Sequence, residues 1–314
     1  MDHTKHEKFL KKNIHKIVKD LPSSSYHGML GTWSSSQFKD MLEDPDYFIK
    51  KYIKREIDRS ETDAMDTGTY FHTGLLEPHK VHEEIAIFEG KTRYGAKFNT
   101  FRELHKGKTI ITKDMKEQGD LMIQAVKASP TSMMYLDGEA EVSLFVELEV
   151  HNGRIYAPAF NKVLTRSGWE EVDRPLLKGG YKMVVKVRAD TLGNHFVSDL
   201  KSTSGNARRE DDIRGSISKY RYDLSAALYL DMFSLIRPEV HEFIWIFASK
   251  KANNAAPWRA SRDQILVGRA KYMHAVVKLA DLAMAKWELV DCLREAEPLH
   301  YEREWLREKD TDLL

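Results

Sequence analysis

The chain of 314 residues has one cysteine, Cys292, so no intramolecular disulfide can form, and the composition fits a reducing compartment. It has no apolar run approaching the length of a membrane span. The opening segment, MDHTKHEKFLKKNIHK, has no apolar core of the kind a signal peptide needs, and a cytoplasmic protein is expected. It has almost no excess of either charge: 49 Lys and Arg against 48 Asp and Glu leave +1, so whole-chain charge gives no argument for nucleic acid, and any basic patch must be local. It has no internal repeat and no low-complexity tract. With 42% hydrophobic and 31% charged residues, it reads as globular rather than disordered.

Patterning gives the order of the elements. Residues 3–20 read as a charged amphipathic helix with Phe9, Ile14, Ile17 and Val18 inward, and 21–33 as a loop rich in Ser, Pro and Gly. The serine run 34–36 caps a helix carrying Phe38, Met41 and Leu42, and Pro45 starts another short one. A helix over 63–76, stopped by Pro78, carries His72, with Gly68 and Gly74 nearby to let another element approach closely. Residues 91–112 look basic and partly irregular, and 113–128 helical. From Glu139 the pattern alternates as strands do. After the polar stretch 202–219 come a helix around 222–233, a buried strand at 241–249 and a long helix to Trp287. No linker is evident. The chain reads as one α/β domain, residues 34–314, preceded by an N-terminal helix and loop, residues 1–33.

The stretch with the clearest chemistry runs from Tyr181 to Lys201, YKMVVKVRADTLGNHFVSDLK. It reads as two strands, 183–189 and 195–201, joined at Gly193 and Asn194. Asp190 closes the first strand. Asp199 and Lys201, two apart, share a face of the second. Two carboxylates and a lysine at a strand end suit a divalent cation with a water beside it, which is the equipment of phosphodiester hydrolysis. Taken alone, D-x8-D-x-K also describes a solvated hairpin with a surface ion pair. Glu141 adds a carboxylate among apolar neighbours, costly unless paired or metal-bound. Glu139 would share its face, so periodicity does not separate the two. His72 on an otherwise small and aromatic face reads as a ligand or as a hydrogen-bonded core residue.

Further motifs fall into an order that resembles a known family. They are SSSQF (34–38) with DPDYF (44–48), TGTYFH (67–72) with LEP (76–78), AEVS (140–143), VRAD (187–190), DLKST (199–203) and YDLSAALYLD (222–231). Together they resemble the RecE (exodeoxyribonuclease VIII) branch of the PD-(D/E)xK nucleases, relatives of λ-exonuclease and of RecB nuclease domains. The resemblance runs from about Ser34 to Arg269. It implies a restriction-endonuclease-like core, a mixed central sheet flanked by helices, with a helical N-terminal part. It also implies that His72, Glu141, Asp190, Asp199 and the carbonyl of Leu200 hold Mg2+, with Mn2+ substituting, and that Lys201 is the catalytic lysine. Tyr229 matches the tyrosine of the family's Q-x-x-x-Y helix, but Ser225 stands where that motif has glutamine.

The activity implied is 5′-to-3′ digestion of one strand of linear double-stranded DNA, leaving 3′ overhangs for a single-strand annealing protein in phage-type recombination. The family also implies a ring-shaped homo-oligomer, a tetramer or a trimer. Arg208, Arg209, Arg214, Lys219 and Arg221 are candidate phosphate contacts or a charged surface. Trp33 and Tyr94 read first as packing residues. A Cas4-like nuclease of other polarity would usually bring four cysteines for an iron–sulfur cluster, against the single one here. A catalytically inactive DNA-end-binding module is the alternative from another class. Residues 151–180 look like an inserted hairpin.

Overall fold

The computed structural model describes residues 3–58, 62–173 and 179–288. Cys292 and part of the 151–180 segment lie outside the described residues.

The first helix, α1 (His3–Asn13), is shorter than the periodicity predicts. It stops because His15 adopts a left-handed conformation and its N–H turns to the carbonyl of Phe145. The β-branched pair that follows becomes strand β1 (Ile17–Val18). Two more pieces arise where the sequence suggests only loop, helix α2 (Ser23–His27) and strand β2 (Thr32–Trp33). Helix α3 (Ser35–Glu43) begins at the expected cap, where the Ser34 N–H donates to Gln37 Oε1 at 2.9 Å. Asp44 caps α4 (Pro45–Phe48) by accepting from the N–H groups of Asp46 and Tyr47.

Helix α5 (Asp63–Leu76), capped by Thr62, matches the expected bounds. It is followed by α6 (Val81–Glu84) and strand β3 (Ile85–Phe88). The stretch 91–112 is more ordered than its composition suggests, holding helix α7 (Ala96–Leu104) and strand β4 (Thr109–Thr112), which pairs with β3 in parallel. Helices α8 (Lys113–Lys127) and α9 (Pro130–Met134) complete the first half. Then come β5 (Glu139–His151), β6 (Arg154–Ala157), β7 (Lys162–Thr165), β8 (Gly168–Glu171), β9 (Tyr181–Leu192) and β10 (Phe196–Thr203). The chain continues with α10 (Glu210–Lys219), α11 (Tyr222–Ser234), β11 (Glu242–Ser249), β12 (Ala255–Arg259) and α12 (Arg262–Met284).

The large sheet has the order β12-β11-β10-β9-β5-β6-β7-β8, with β1 added to β5 and β2 to β9. It is mixed, since β10 and β11 run parallel while β9 and its neighbours β5 and β10 run antiparallel. The described residues of 151–180 extend the sheet outward through β6, β7 and β8. Both faces are covered, and β11 shows it residue by residue. Phe243, Trp245 and Phe247 enter the core beneath α11 and α12, while Ile244, Ile246 and Ala248 enter the core shared with α5 and α8.

A buried network ties the outer strands to the helices. Arg269 makes two hydrogen bonds of 2.7 Å to the Asp231 carboxylate, which also accepts from the Tyr272 hydroxyl. Arg269 donates to the carbonyl of Arg166, and Trp169 Nε1 donates to that of Asp231. Removing one partner strands a buried guanidinium, so Asp231→Ala is expected to cost about 3–5 kcal/mol, read as a lower midpoint in urea.

Candidate active site

The site forms where the β9–β10 hairpin comes apart. The two strands pair at Val197 with Leu192 and at Ser198 with Thr191, and no pairing follows. Instead the Asp190 carboxylate accepts the N–H of Leu200 at 2.6 Å, a side chain taking the place of a ladder carbonyl. The edge of β9 freed by this parting is taken by β2, which pairs with Val184 and Val185. The β5–β9 ladder also lapses beside Asp190, at Glu141, where φ is +50°. A left-handed residue inside a strand is costly for any non-glycine, and it occurs here at a clustered carboxylate.

That kink decides what periodicity left open. Glu139 is held by Arg237 at 2.6 Å and Lys19 at 3.0 Å, away from the cluster. Glu141 joins His72 and Asp190 in a group whose donor atoms all lie within 4.8 Å of one another. His72 arrives from α5, its Nδ1 3.4 Å from Asp190 Oδ2. The helix is locked to α8, where Tyr70 bonds Asp120 and a Cβ at Gly119 would strike the Tyr70 ring. Close approach therefore happens at Gly119, and at Gly74 against Ile123; Gly68 faces open space. Glu141 also lies 3.5 Å from Arg188, which donates to Ser143 Oγ and to the carbonyl of Leu21.

Asp199 stands outside this triad and forms an ion pair with Lys201, as their shared strand face predicts. Its Oδ2 is buried without a well-angled hydrogen bond, so the ammonium against it satisfies charge more than direction. Lys201 also donates to the Leu200 carbonyl at 3.2 Å and sits 5.2 Å from the Tyr222 ring. Tyr229 lies in α11 with its hydroxyl shifted well above the ordinary range, by burial first and by the charge of Tyr26, Asp199 and Asp190 after that. Ser225, one turn earlier, is buried.

The electrostatics are those of buried charges of both signs, with burial as the largest influence on each carboxyl. Burial, then Asp190, pushes the Glu141 carboxyl up to about 7, against the pull of His72 and Arg188. Asp199 is raised by burial and by Asp190, against Lys201 and His72. Burial opposes the charge of Asp190 too, but His72, Lys201 and the Leu200 N–H together hold it below the usual carboxylate range. Burial would lower His72, and Asp190 more than reverses that. One imidazole and two carboxylates, half-buried or buried, with one carboxyl raised to about 7 by burial and by the carboxylate beside it, fit a hard divalent cation such as Mg2+ or Mn2+.

Of the candidate phosphate contacts, Arg208, Arg209 and Lys219 are exposed. Arg214 pairs with Glu210, and Arg221 with Glu43 at 3.1 Å. Trp33 packs between Phe48 and Trp287. Tyr94 does not pack as expected; it is 88% exposed. Sequence reasoning missed Lys39, whose ammonium lies 5.2 Å from the Tyr222 ring. Burial, and then Lys201, lowers its pKa to about 7. Its one signal is its place one turn after Ser35 on α3, since Ser35 meets Tyr229.

The sheet and its parted hairpin define a PD-(D/E)xK-type core, mixed α/β with helices on both faces. Residues 34–157 match the family described as a PDDEXK-like domain of unknown function, DUF3799, a span that contains His72 and Glu141 and ends before the hairpin. A solved structure described as a "Putative exonuclease" from Eubacterium rectale superposes with a TM-score of 0.51 at 14% identity, covering 90% of this chain and 96% of that one. A second, of SSO0001, gives a TM-score of 0.24 at 13% identity over 76% and 84%, too loose to carry an argument. No curated protein matches the sequence. The matches support the PD-(D/E)xK nuclease superfamily without singling out the RecE branch. Among the described residues no helix is long and apolar enough to cross a membrane.

Proposed function

We propose that this chain is a metal-dependent exodeoxyribonuclease that degrades one strand of linear double-stranded DNA from its 5′ end and leaves a 3′ overhang. The observation that carries the reading is the triad of His72, Glu141 and Asp190 beside the Asp199–Lys201 pair, at the point where β9 and β10 part. The triad would hold Mg2+ or Mn2+, and the resemblance adds Asp199 and the Leu200 carbonyl as further oxygen ligands. A divalent ion bound there supplies charge to offset that building on the phosphate, and makes a nearby water more acidic. Lys201 stays protonated, because Asp199 and Asp190 outweigh the effect of its burial. With Asp199 and the Leu200 carbonyl taking two of its three N–H groups, its ammonium donates the third to a non-bridging phosphate oxygen. Asp199 holds that ammonium in place. Tyr229, kept neutral by burial, lines the site as a donor. Arg208, Arg209 and Lys219 give an exposed path for phosphates, with Arg214 and Arg221 beside it.

Polarity, the annealing partner and a ring of three or four copies follow from the resemblance, a cytoplasmic setting is in keeping with the single cysteine, and the description of the E. rectale structure is in line with an exonuclease. Linear duplex labelled at its 5′ or 3′ ends tests the reading. Early release of 5′ label as mononucleotide, with closed circles left intact, is expected. Early release of 3′ label reverses the polarity, and cutting of circles replaces the exonuclease with an endonuclease.

A further inference from the structure

Just past Lys201 the molecule opens into a groove of 570 Å3, bounded by the end of β10, the start of α5, the end of α10 and the start of α11. The metal triad is not part of its lining. Two exposed apolar side chains line it, Met65 at 42% and Tyr220 at 50% exposure. Tyr220 stacks on Tyr222, with centroids 5.5 Å apart and 29° between the planes, and so keeps a large part of its ring surface in solvent. Tyr222 in turn lies 5.2 Å from the ammonium of Lys201, which makes the groove continuous with the site of chemistry.

The cations are the second observation. Lys219 and Lys250 line the groove, and among the described residues neither is within ion-pair distance of a carboxylate. Lys219 lies 5.3 Å from the Tyr220 ring. Lys250 is half-buried, and burial lowers its pKa. A desolvated ammonium without an anion is a standing cost that a bound anion removes. A half-exposed aromatic ring for a base and ammonium groups for a phosphate, in a cavity within the usual size range of ligand sites, match a nucleotide.

We propose that this groove is a nucleotide subsite, in which an unpaired base of the strand leading to the metal triad stacks on Tyr220 and Met65 while Lys219 and Lys250 hold its phosphate. The identity of the strand as substrate rests on the nuclease reading; the subsite itself does not. A base of any kind is accepted, since stacking reads no hydrogen-bond pattern.

Binding of a fluorescein-labelled single-stranded oligonucleotide, followed by anisotropy in EDTA so that nothing is cut, tests the subsite. Tyr220→Ala is expected to weaken binding about tenfold, and Tyr220→Phe, which keeps the ring, to bind as wild type. Lys250→Ala is expected to weaken binding and to lower the slope of log affinity against log salt by about 0.7, the effect of one phosphate contact on a single strand. Thermal melting checks that each variant is folded. Binding by Tyr220→Ala within twofold of wild type overturns the proposal, as does failure of Tyr220→Phe to restore it. Cleavage with Mn2+ is scored separately on the same proteins. A wild type that binds through Tyr220 and cuts nothing keeps the subsite and removes the nuclease reading; a Tyr220→Ala protein that binds and cuts as wild type does the opposite.

Discussion

Lys201→Ala lowers the initial rate of nucleotide release from linear DNA by about a thousandfold, with the fold intact. Removing one preorganised donor to developing charge costs about a hundred- to a thousandfold. Its ammonium is fixed by Asp199, by the Leu200 carbonyl and by the Tyr222 ring. Lys201→Arg does not restore the rate, because the planar guanidinium is wider than the ammonium and cannot fit the same three contacts. Metal affinity does not fall in Lys201→Ala, since the change removes a positive charge from the edge of the triad. Saturating Mn2+ therefore isolates the chemical step, and melting curves separate lost chemistry from lost fold.

Affinity for Mn2+ falls at least tenfold for each pH unit below about 7. Glu141 must lose its proton to act as a ligand, and burial with Asp190 beside it holds that proton until about pH 7. His72, raised by Asp190, adds a second competing proton on the acid side. The same shift fixes the sign of the effect on stability. The folded pKa of Glu141 lies above its unfolded value of 4.5, so its contribution is fully present below pH 4.5 and is lost as pH rises through about 7. Asp190, lowered in the fold, contributes above its unfolded 3.8 and loses that contribution on acidification. Metal-free protein therefore sheds the Glu141 contribution between mildly acidic and neutral pH, and bound Mn2+ raises Tm more at pH 8 than at pH 6. Glu141→Gln raises the metal-free Tm at pH 8 and weakens Mn2+ binding at every pH. Calorimetric titration and melting at the two pH values read both effects.

Much of this site can be read in the chain because its parts are local. Asp199 and Lys201 are two apart on a strand, and the period of two places them together without any knowledge of the fold. The serine run 34–36 announces α3, and Pro78 marks the end of α5. The rest depends on long-range geometry. Glu139 and Glu141 look alike until the positive φ at Glu141 breaks the alternation that made them so. Strands β1 and β2 have two residues each, too few for a period, and exist because β5 and β9 offer them free edges. Lys39 belongs to the site only because α3 packs against α11, a contact between residues far apart in sequence. Tyr220 and Tyr222 mark an ordinary helix boundary in the sequence and become a stacked pair only through the turn at Arg221, where φ is +47°.

The central claim is that His72, Glu141 and Asp190 hold the ion that drives phosphodiester cleavage. Its most direct test is release of acid-soluble nucleotide from linear duplex DNA by wild type and by Asp190→Asn, each with Mn2+ and with EDTA. Asp190→Asn keeps the shape of the side chain and removes its charge. Release by wild type with Mn2+ alone is expected, and none by the variant under either condition. Equal release by Asp190→Asn, or release by wild type in EDTA, would contradict it.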